Sequence, residues 1–218
     1  MERSLSLATA TAQASLLASN WLLFAYVGLA VALLVWGLIL FAALRWRRRD
    51  TPQAPLPPQF RNNVGLEVAW TIVPLALVGV LFAYTYRAEA GVEVLAADPA
   101  VTVNVNAYRW GWTFAYRDGP TVNGSFANLP ELVLPRGETT RIVLTSSDVN
   151  HSFWIPAFLF KRDAIPGRTT AFDLDPTATG TYAGHCAAFC GYDHALMGFR
   201  VRVVEPGAFG RWLRSPAT

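Results

Sequence analysis

Two long uncharged stretches occupy the first part of the chain, at residues 21–44 and 68–86. At ~1.5 Å per helical residue, each is about long enough to cross a bilayer core of ~30 Å. Trp21 and Trp46 flank the first stretch, as aromatic residues flank membrane spans. Pro74 falls within the second, where a membrane helix tolerates it. The pattern predicts two transmembrane helices, with two buried core helices as the alternative.

From residue 88 onward the pattern changes to short runs in which apolar and polar residues alternate. Residues 101–106, 140–145 and 199–204 alternate in this way, which predicts β-strands. Turn signals separate the runs, among them Asn123-Gly124. Many short strands with frequent turns indicate a β-sandwich or barrel over residues 88–218. A short helix is expected at residues 207–213.

The distribution of charge predicts how the two helices are oriented. The connector at residues 45–66 combines a Pro-rich stretch at residues 51–58 with Arg45, Arg47, Arg48, Arg49 and Arg61. The positive-inside bias makes this connector a cytoplasmic loop, with both chain ends on the opposite side. Residues 88–218 hold 11 basic against 12 acidic side chains, so the net charge of +3 comes from elsewhere. We therefore expect no nucleic-acid partner.

Residues with metal-binding side chains gather in one short segment. Cys186, Cys190, His194 and Met197 fall within twelve residues, and the two cysteines are the only ones in the chain. Two thiols, an imidazole and a thioether favour a soft metal, above all copper. His151, at the end of a predicted strand, is the best candidate for a second imidazole. His185 directly precedes Cys186, and neighbouring side chains of an extended segment point to opposite faces.

Three other interpretations of the cysteine segment remain open. One is a disulfide between Cys186 and Cys190, which an outer compartment permits. Another is structural zinc, which has no use for Met197. The third is a mononuclear blue-copper site, which uses only one cysteine ligand and would leave the second cysteine without a role. Two thiolates, two imidazoles and a thioether fit a binuclear copper centre in which both sulfurs bridge.

Several separated motifs agree, in order, with one known family. They are residues 67–74, the aromatic segment 110–116, residues 148–156, residues 163–168 and the cysteine segment. Over residues 20–213 the chain resembles subunit II of haem–copper cytochrome c oxidase. The resemblance implies a hairpin of two N-terminal transmembrane helices at residues 21–87, followed by an all-β cupredoxin-like sandwich at residues 88–218. Residues 1–20 would form a short outer segment.

The resemblance also implies the binuclear copper centre known as CuA. In that family two cysteines bridge both ions, a histidine and a methionine complete one ion, and a histidine and a backbone carbonyl complete the other. In this sequence Cys186 and Cys190 match the two bridging cysteines. His151 and Met197 match the ligands that complete one ion. His194 and the backbone carbonyl of Ala188 match those that complete the other. Thiolates bind metal only when deprotonated, so copper loading is expected to release protons.

Two further residues match functional positions of the family. Trp110 matches the tryptophan through which electrons arrive from cytochrome c; the alternative is a half-buried strand aromatic. Glu67 matches a carboxylate near the entrance of a proton channel in the catalytic subunit. The alternative for Glu67 is an exposed acid stabilised at a helix N-terminus.

The function implied by the resemblance is that of the electron-accepting subunit of a terminal oxidase. Cytochrome c would deliver electrons to the copper centre, and haem in catalytic subunit I would receive them for oxygen reduction and proton pumping. Subunit III is a further expected partner, and the bacterial inner membrane is the expected location, with the β-domain outside. Alternatives are the CuA subunit of a nitric oxide reductase and a membrane-anchored copper carrier. A quinol oxidase subunit is disfavoured because all five side-chain ligands are present. No Cys-x-x-Cys-His occurs, so no c-type haem is expected on this chain.

Two positions depart from the family pattern. Ala188 stands where the family often has a glutamate that helps to bind magnesium, so that ligand is expected to be lost. Gly111 replaces an aromatic residue common beside the tryptophan that receives electrons. No acidic docking face is obvious in the near-neutral outer domain. The donor is therefore expected to bind through apolar contacts, or to be a membrane-tethered or fused cytochrome.

Overall fold

The computed structural model describes residues 9–47, 59 and 61–215. Two long helices come first, α1 (Ala12–Arg45) and α2 (Val64–Glu93), and a short helix, α3 (Pro206–Leu213), comes last. Between them lie ten strands: β1 (Val101–Tyr108), β2 (Gly111–Tyr116), β3 (Thr121–Ser125), β4 (Glu131–Pro135), β5 (Thr140–Ser146), β6 (His151–Ile155), β7 (Phe160–Ala164), β8 (Thr170–Leu174), β9 (Gly180–Cys186) and β10 (Gly198–Val204). The predicted loop residues Arg48, Arg49 and Asp50 and the Pro-rich stretch 51–58 lie outside the described residues.

Helices α1 and α2 are long and apolar enough to cross a membrane. In the most apolar 18-residue stretch of each helix, no residue is buried. A core helix of a soluble protein would bury that surface against its own domain. The finding excludes two buried core helices and fits a two-pass membrane protein. Pro74 lies inside α2, which continues past it.

Helix α1 begins earlier than the apolar pattern predicts, at Ala12 rather than near Trp21. The Thr11 hydroxyl accepts a hydrogen bond from the Ala14 backbone N–H, which caps the first turn. The Gln13 side chain donates to the carboxylate of Asp175 over 2.6 Å, so the first turn is docked on the β-domain. The described residues up to Ala18 cluster with those from Ala88 onward, and the described residues between 19 and 87 form a second unit. Part of the expected outer segment 1–20 is therefore the start of α1.

The strands form two five-stranded sheets, in the orders β3-β2-β1-β5-β8 and β4-β10-β9-β6-β7. The pairs β1–β5 and β4–β10 are parallel, and the remaining neighbours are antiparallel. Fully buried aromatic side chains from both sheets fill the core, among them Trp112, Phe114, Phe153, Phe172 and Phe199. The predicted fold class, two apolar helices followed by a β-sandwich, is confirmed.

The turn predicted at Asn123-Gly124 is wrong, because both residues lie within β3. A Cβ atom at Gly124 would come within 2.4 Å of the Asn128 carbonyl oxygen. This glycine therefore allows a close approach of two backbone segments rather than a tight hairpin turn.

Candidate metal centre

Three neighbouring strands of the second sheet bring the predicted ligands to one end of the sandwich. Strand β6 begins at His151, and the antiparallel strand β9 ends at Cys186, with Phe153 paired to Cys186. Strand β10 pairs with β9 and begins at Gly198, directly after Met197. The segment between β9 and β10, residues 187–197, is called the metal loop below. Because β6 starts where β9 ends, His151 lies beside this loop.

The two cysteine sulfurs form the centre of the cluster, 3.9 Å apart. Cys186 Sγ lies 3.8 Å from His151 Nδ1 and 3.3 Å from the Ala188 carbonyl oxygen. Cys190 Sγ lies 3.5 Å from His194 Nδ1 and 3.7 Å from Met197 Sδ. Two atoms bound to one ion at 2.1–2.3 Å with tetrahedral angles are about 3.6–3.8 Å apart. The spacing of the donors therefore fits a metal-binding cluster.

Burial and donor chemistry narrow the choice of metal. His151, Cys186, Cys190 and Met197 are buried, and His194 is half-buried. The cysteines are free, so no disulfide joins them. A buried thioether 3.7 Å from a cysteine sulfur suits copper and has no role in a zinc site of two thiolates and two imidazoles. The cluster is consistent with copper.

The two thiols have different acidities. Burial disfavours the thiolate at both, but at Cys186 hydrogen bonding with His151 and with the Ser152 and Ala188 backbones outweighs burial and lowers the pKa. At Cys190, burial and the negative charge of Cys186 both raise the pKa. Cys186 is therefore the first thiolate to form, and a metal bound by both sulfurs must displace the proton of Cys190.

Asp148 orients His151 from the side opposite the cluster. Its Oδ1 lies 2.9 Å from His151 Nε2, and its Oδ2 accepts a bond of 2.8 Å from the Arg109 backbone N–H. Burial alone would raise the pKa of Asp148, but hydrogen bonds from His151, the Val149 backbone and Arg109 lower it to about 2. The ionised carboxylate favours the proton on Nε2, which leaves Nδ1 free to bind metal.

Sequence reasoning missed this role of Asp148. The available signal was a carboxylate three residues before the histidine at the start of a strand. The contribution of Arg109 had no local signal, because its partner lies 39 positions along the chain.

The structure brings Trp110 into direct contact with the metal loop. Its indole Nε1 donates to the Cys190 carbonyl oxygen over 3.3 Å. A Cβ atom at Gly191 would lie 3.1 Å from the Trp110 ring, and Gly191 has a φ of +121°. Glycine is therefore required here both by the backbone conformation and by the indole.

The other residues singled out in the sequence occupy varied positions. His185 is exposed and its ring lies 6.0 Å from that of Trp154, as expected for a side chain that points away from the cluster. Ala188 directs its carbonyl toward Cys186 Sγ.

Glu67 is exposed in the first turn of α2. Its Oε1 accepts a hydrogen bond from the Asn63 backbone N–H, and Asn63 Oδ1 in turn accepts one from the Leu66 backbone N–H. Glu67 thus takes part in reciprocal capping of α2.

Comparisons with known proteins agree on one family. The family model described as cytochrome c oxidase subunit II, periplasmic domain, matches residues 126–204. A protein named probable cytochrome c oxidase subunit 2 in Streptomyces avermitilis is 39% identical, over 87% of this chain and 71% of that one. The cytochrome c oxidase subunit 2 of Mycobacterium tuberculosis strain H37Rv is 30% identical, over 94% of this chain and 72% of that one.

Among solved structures, the periplasmic domain of cytochrome oxidase subunit II of Bradyrhizobium japonicum is 33% identical, with a TM-score of 0.49. It covers 55% of this chain, and 94% of that domain is matched. Identity to curated relatives over most of both chains decides the assignment. This chain belongs to the cytochrome c oxidase subunit 2 family.

Proposed function

We propose that this chain is the electron-accepting subunit of a haem–copper oxidase and that its metal loop holds a pair of copper ions. The observation that carries the proposal is the two adjacent cysteine sulfurs, each with further donors 3.3–3.8 Å away. When bound, the copper pair supplies a one-electron redox centre. The assigned ligands are His151, Cys186, the Ala188 carbonyl, Cys190, His194 and Met197.

The hydrogen bonds of the metal loop support a site whose ligands are held in place by the surrounding protein. The backbone N–H of Cys186 donates to the Met197 carbonyl over 2.9 Å, and that of Ala187 donates to the Ser152 carbonyl over 3.0 Å. Asp148 holds His151 in place from behind. A redox centre benefits from ligands that do not move, whereas a carrier must release its ion. This rigidity favours the oxidase subunit over the membrane-anchored copper carrier.

The proposed donor is a c-type cytochrome that docks near Trp110, and the proposed acceptor is haem in catalytic subunit I. The hydrogen bond from Trp110 to the Cys190 carbonyl supports this role, because it joins a half-buried ring directly to a ligand residue. Subunit III completes the proposed complex. The chain would be anchored in the bacterial inner membrane by α1 and α2, with the β-domain on the outer face.

Loss of either thiolate tests the proposal directly. In the purified complex, Cys186→Ser and Cys190→Ser should each abolish cytochrome c oxidation and lower the copper content, while the haem content of the complex is retained. Full oxidation of cytochrome c by either variant would contradict the proposal. Measuring consumption of oxygen against nitric oxide by the wild-type complex separates the oxidase from the nitric oxide reductase alternative.

For Glu67 we propose a place at the cytoplasmic entrance of a proton channel. Its capping contact explains its position equally well, and two variants separate the roles. Glu67→Gln keeps the oxygen atom that caps α2 and loses the charge, whereas Glu67→Ala loses both. A proton-channel role predicts slowed proton uptake in both variants. Normal uptake in Glu67→Gln would leave only the capping role.

A further inference from the structure

Ser152 lies between the cysteine cluster and β7, the edge strand of the second sheet. It directly follows His151 in β6 and is only 1% exposed. Its hydroxyl donates to Asp163 Oδ1 over 2.7 Å, across the antiparallel pair that the two residues form between β6 and β7. A buried hydroxyl needs a hydrogen-bond partner, and this carboxylate supplies one. Because Asp163 is exposed, the pair links the surface with a buried position next to a proposed ligand.

Both backbone groups of Ser152 contact the start of the metal loop. Its N–H donates to the Cys186 sulfur, and its carbonyl oxygen accepts from the Ala187 N–H over 3.0 Å. The pairing of β6 with β9 ends at Phe153 and Cys186, so these two bonds hold the chain where β9 passes into the metal loop. The backbone of one residue therefore holds a proposed bridging sulfur and the residue that follows it.

The Asp163 carboxylate bonds to Ser152 although basic side chains lie close by. It lines a cavity of about 440 Å³ that is also lined by three basic residues, Lys161, Arg162 and Arg168. Among the described residues, Asp163 forms no ion pair with any of them, and Arg162 pairs with a different acid. The hydrogen bond from Ser152, rather than a surface ion pair, therefore defines the position of this carboxylate.

We propose that Ser152 and Asp163 are positioning residues of the copper centre: Asp163 holds the Ser152 hydroxyl, and the Ser152 backbone holds the start of the metal loop at Cys186. This inference rests on the proposed function and goes further, because it assigns a role to two side chains that provide no ligand atom. Hydrogen bonds behind the ligands set the affinity of a metal site, and those around a cysteine sulfur tune the metal. The pair is the counterpart, on the Cys186 side, of Asp148 behind His151.

Variants at the two residues separate the hydrogen bond from the charge. Ser152→Ala removes the hydroxyl and keeps the carboxylate. Asp163→Asn keeps an oxygen that accepts from Ser152 and removes the charge, and Asp163→Ala removes both. The matched control is Thr113→Val, which removes a cross-strand hydrogen bond of 2.8 Å from the Thr113 hydroxyl to Asn123 in the other sheet. Neither side chain of that control pair has a described hydrogen bond to the metal loop.

Copper affinity and the copper spectrum of the purified complex are the readouts. Ser152→Ala and Asp163→Ala should each lower copper affinity about 10-fold in competition with a chelator of known affinity. Both should also change the copper hyperfine splitting in electron paramagnetic resonance. Asp163→Asn should keep the wild-type splitting and change the affinity by less than about twofold, because the hydrogen bond remains. Thr113→Val should behave as the wild type.

Three results would overturn the inference. One is wild-type affinity and splitting in Ser152→Ala, even with a lower unfolding temperature, since the hydroxyl would then serve folding alone. Another is an equal loss in Asp163→Asn and Asp163→Ala, which would assign the effect to the charge. The third is an equal effect of Ser152→Ala and Thr113→Val. If Ser152→Ala does not assemble, Asp163→Ala decides, because its side chain is exposed and its loss opens no cavity. These results leave the proposed function intact, whereas a wild-type complex without copper at the metal loop overturns both.

Discussion

The two histidines of the cluster are held in different ways. His151 begins a core strand, is fully buried, and is held by Asp148 at Nε2. His194 lies in the metal loop, is half-buried, and has its ring 5.8 Å from that of Phe189, a side chain that is 83% exposed. The core of the sandwich therefore fixes one imidazole, and the loop alone positions the other. We expect substitutions on the two sides to have separable effects.

The largest difference is expected when each imidazole is removed. His151→Ala leaves a cavity in the core and removes one hydrogen-bond partner of Asp148, so the metal-free chain should lose about 2–4 kcal/mol of unfolding free energy. His194→Ala removes a half-buried side chain and should cost no more than about 1 kcal/mol. Thermal unfolding of both variants after treatment with a chelator, followed by tryptophan fluorescence, measures the difference. Equal destabilisation would show that the core does not hold His151 more tightly than the metal loop holds His194.

A smaller difference is expected for the carboxylates on the two sides. Asp148→Ala removes the group that orients His151 and should lower copper affinity about 10–100-fold. Asp193→Ala is the matched control beside His194, and should change copper affinity by less than about twofold because Asp193 has no side-chain contact with His194 among the described hydrogen bonds. Competition with a chelator of known affinity measures both. Similar losses in the two variants would contradict an orienting role for Asp148.

The smallest effect on copper is expected at Ala188. Its carbonyl faces Cys186 Sγ, so a change of side chain should leave the copper spectrum intact. Ala188→Glu should instead add a carboxylate that allows the complex to bind Mn²⁺ in place of magnesium, whereas Ala188→Gln should not. Electron paramagnetic resonance of bound Mn²⁺ reports the gain. Loss of copper in both variants would mean that the side chain at position 188 controls the position of the backbone carbonyl that is proposed to bind copper.

Local patterns were sufficient for three of the ten strands and for the soft-donor set. Alternation identified β1, β5 and β10, and the spacing of Cys186, Cys190, His194 and Met197 identified the metal loop. Both signals are contained in short windows of sequence. The assignment of His151 needed the additional assumption that this end of its strand lies beside the metal loop, and the antiparallel pairing of β6 with β9 places the start of β6 there. The functional roles of Trp110 and Glu67 stay predictions.

Features that depend on long-range contacts could not be predicted from local patterns. The early start of α1 relies on Gln13 bonding to Asp175, 162 positions away. The Asn123-Gly124 pair favours a turn by its local preference, whereas the actual constraint at Gly124 is the backbone at Asn128. The Arg109–Asp148 pair likewise joins two segments that no local window contains. In each case, tertiary contacts outweighed or supplemented the local preference.

Electron paramagnetic resonance of the oxidised wild-type complex tests the central claim most directly. If Cys186 and Cys190 bridge two copper ions, one unpaired electron is shared, and its hyperfine pattern must reflect two copper nuclei. Metal analysis should give two copper ions per chain at this site. A hyperfine pattern from a single copper nucleus, with one copper ion per chain, would contradict the binuclear site.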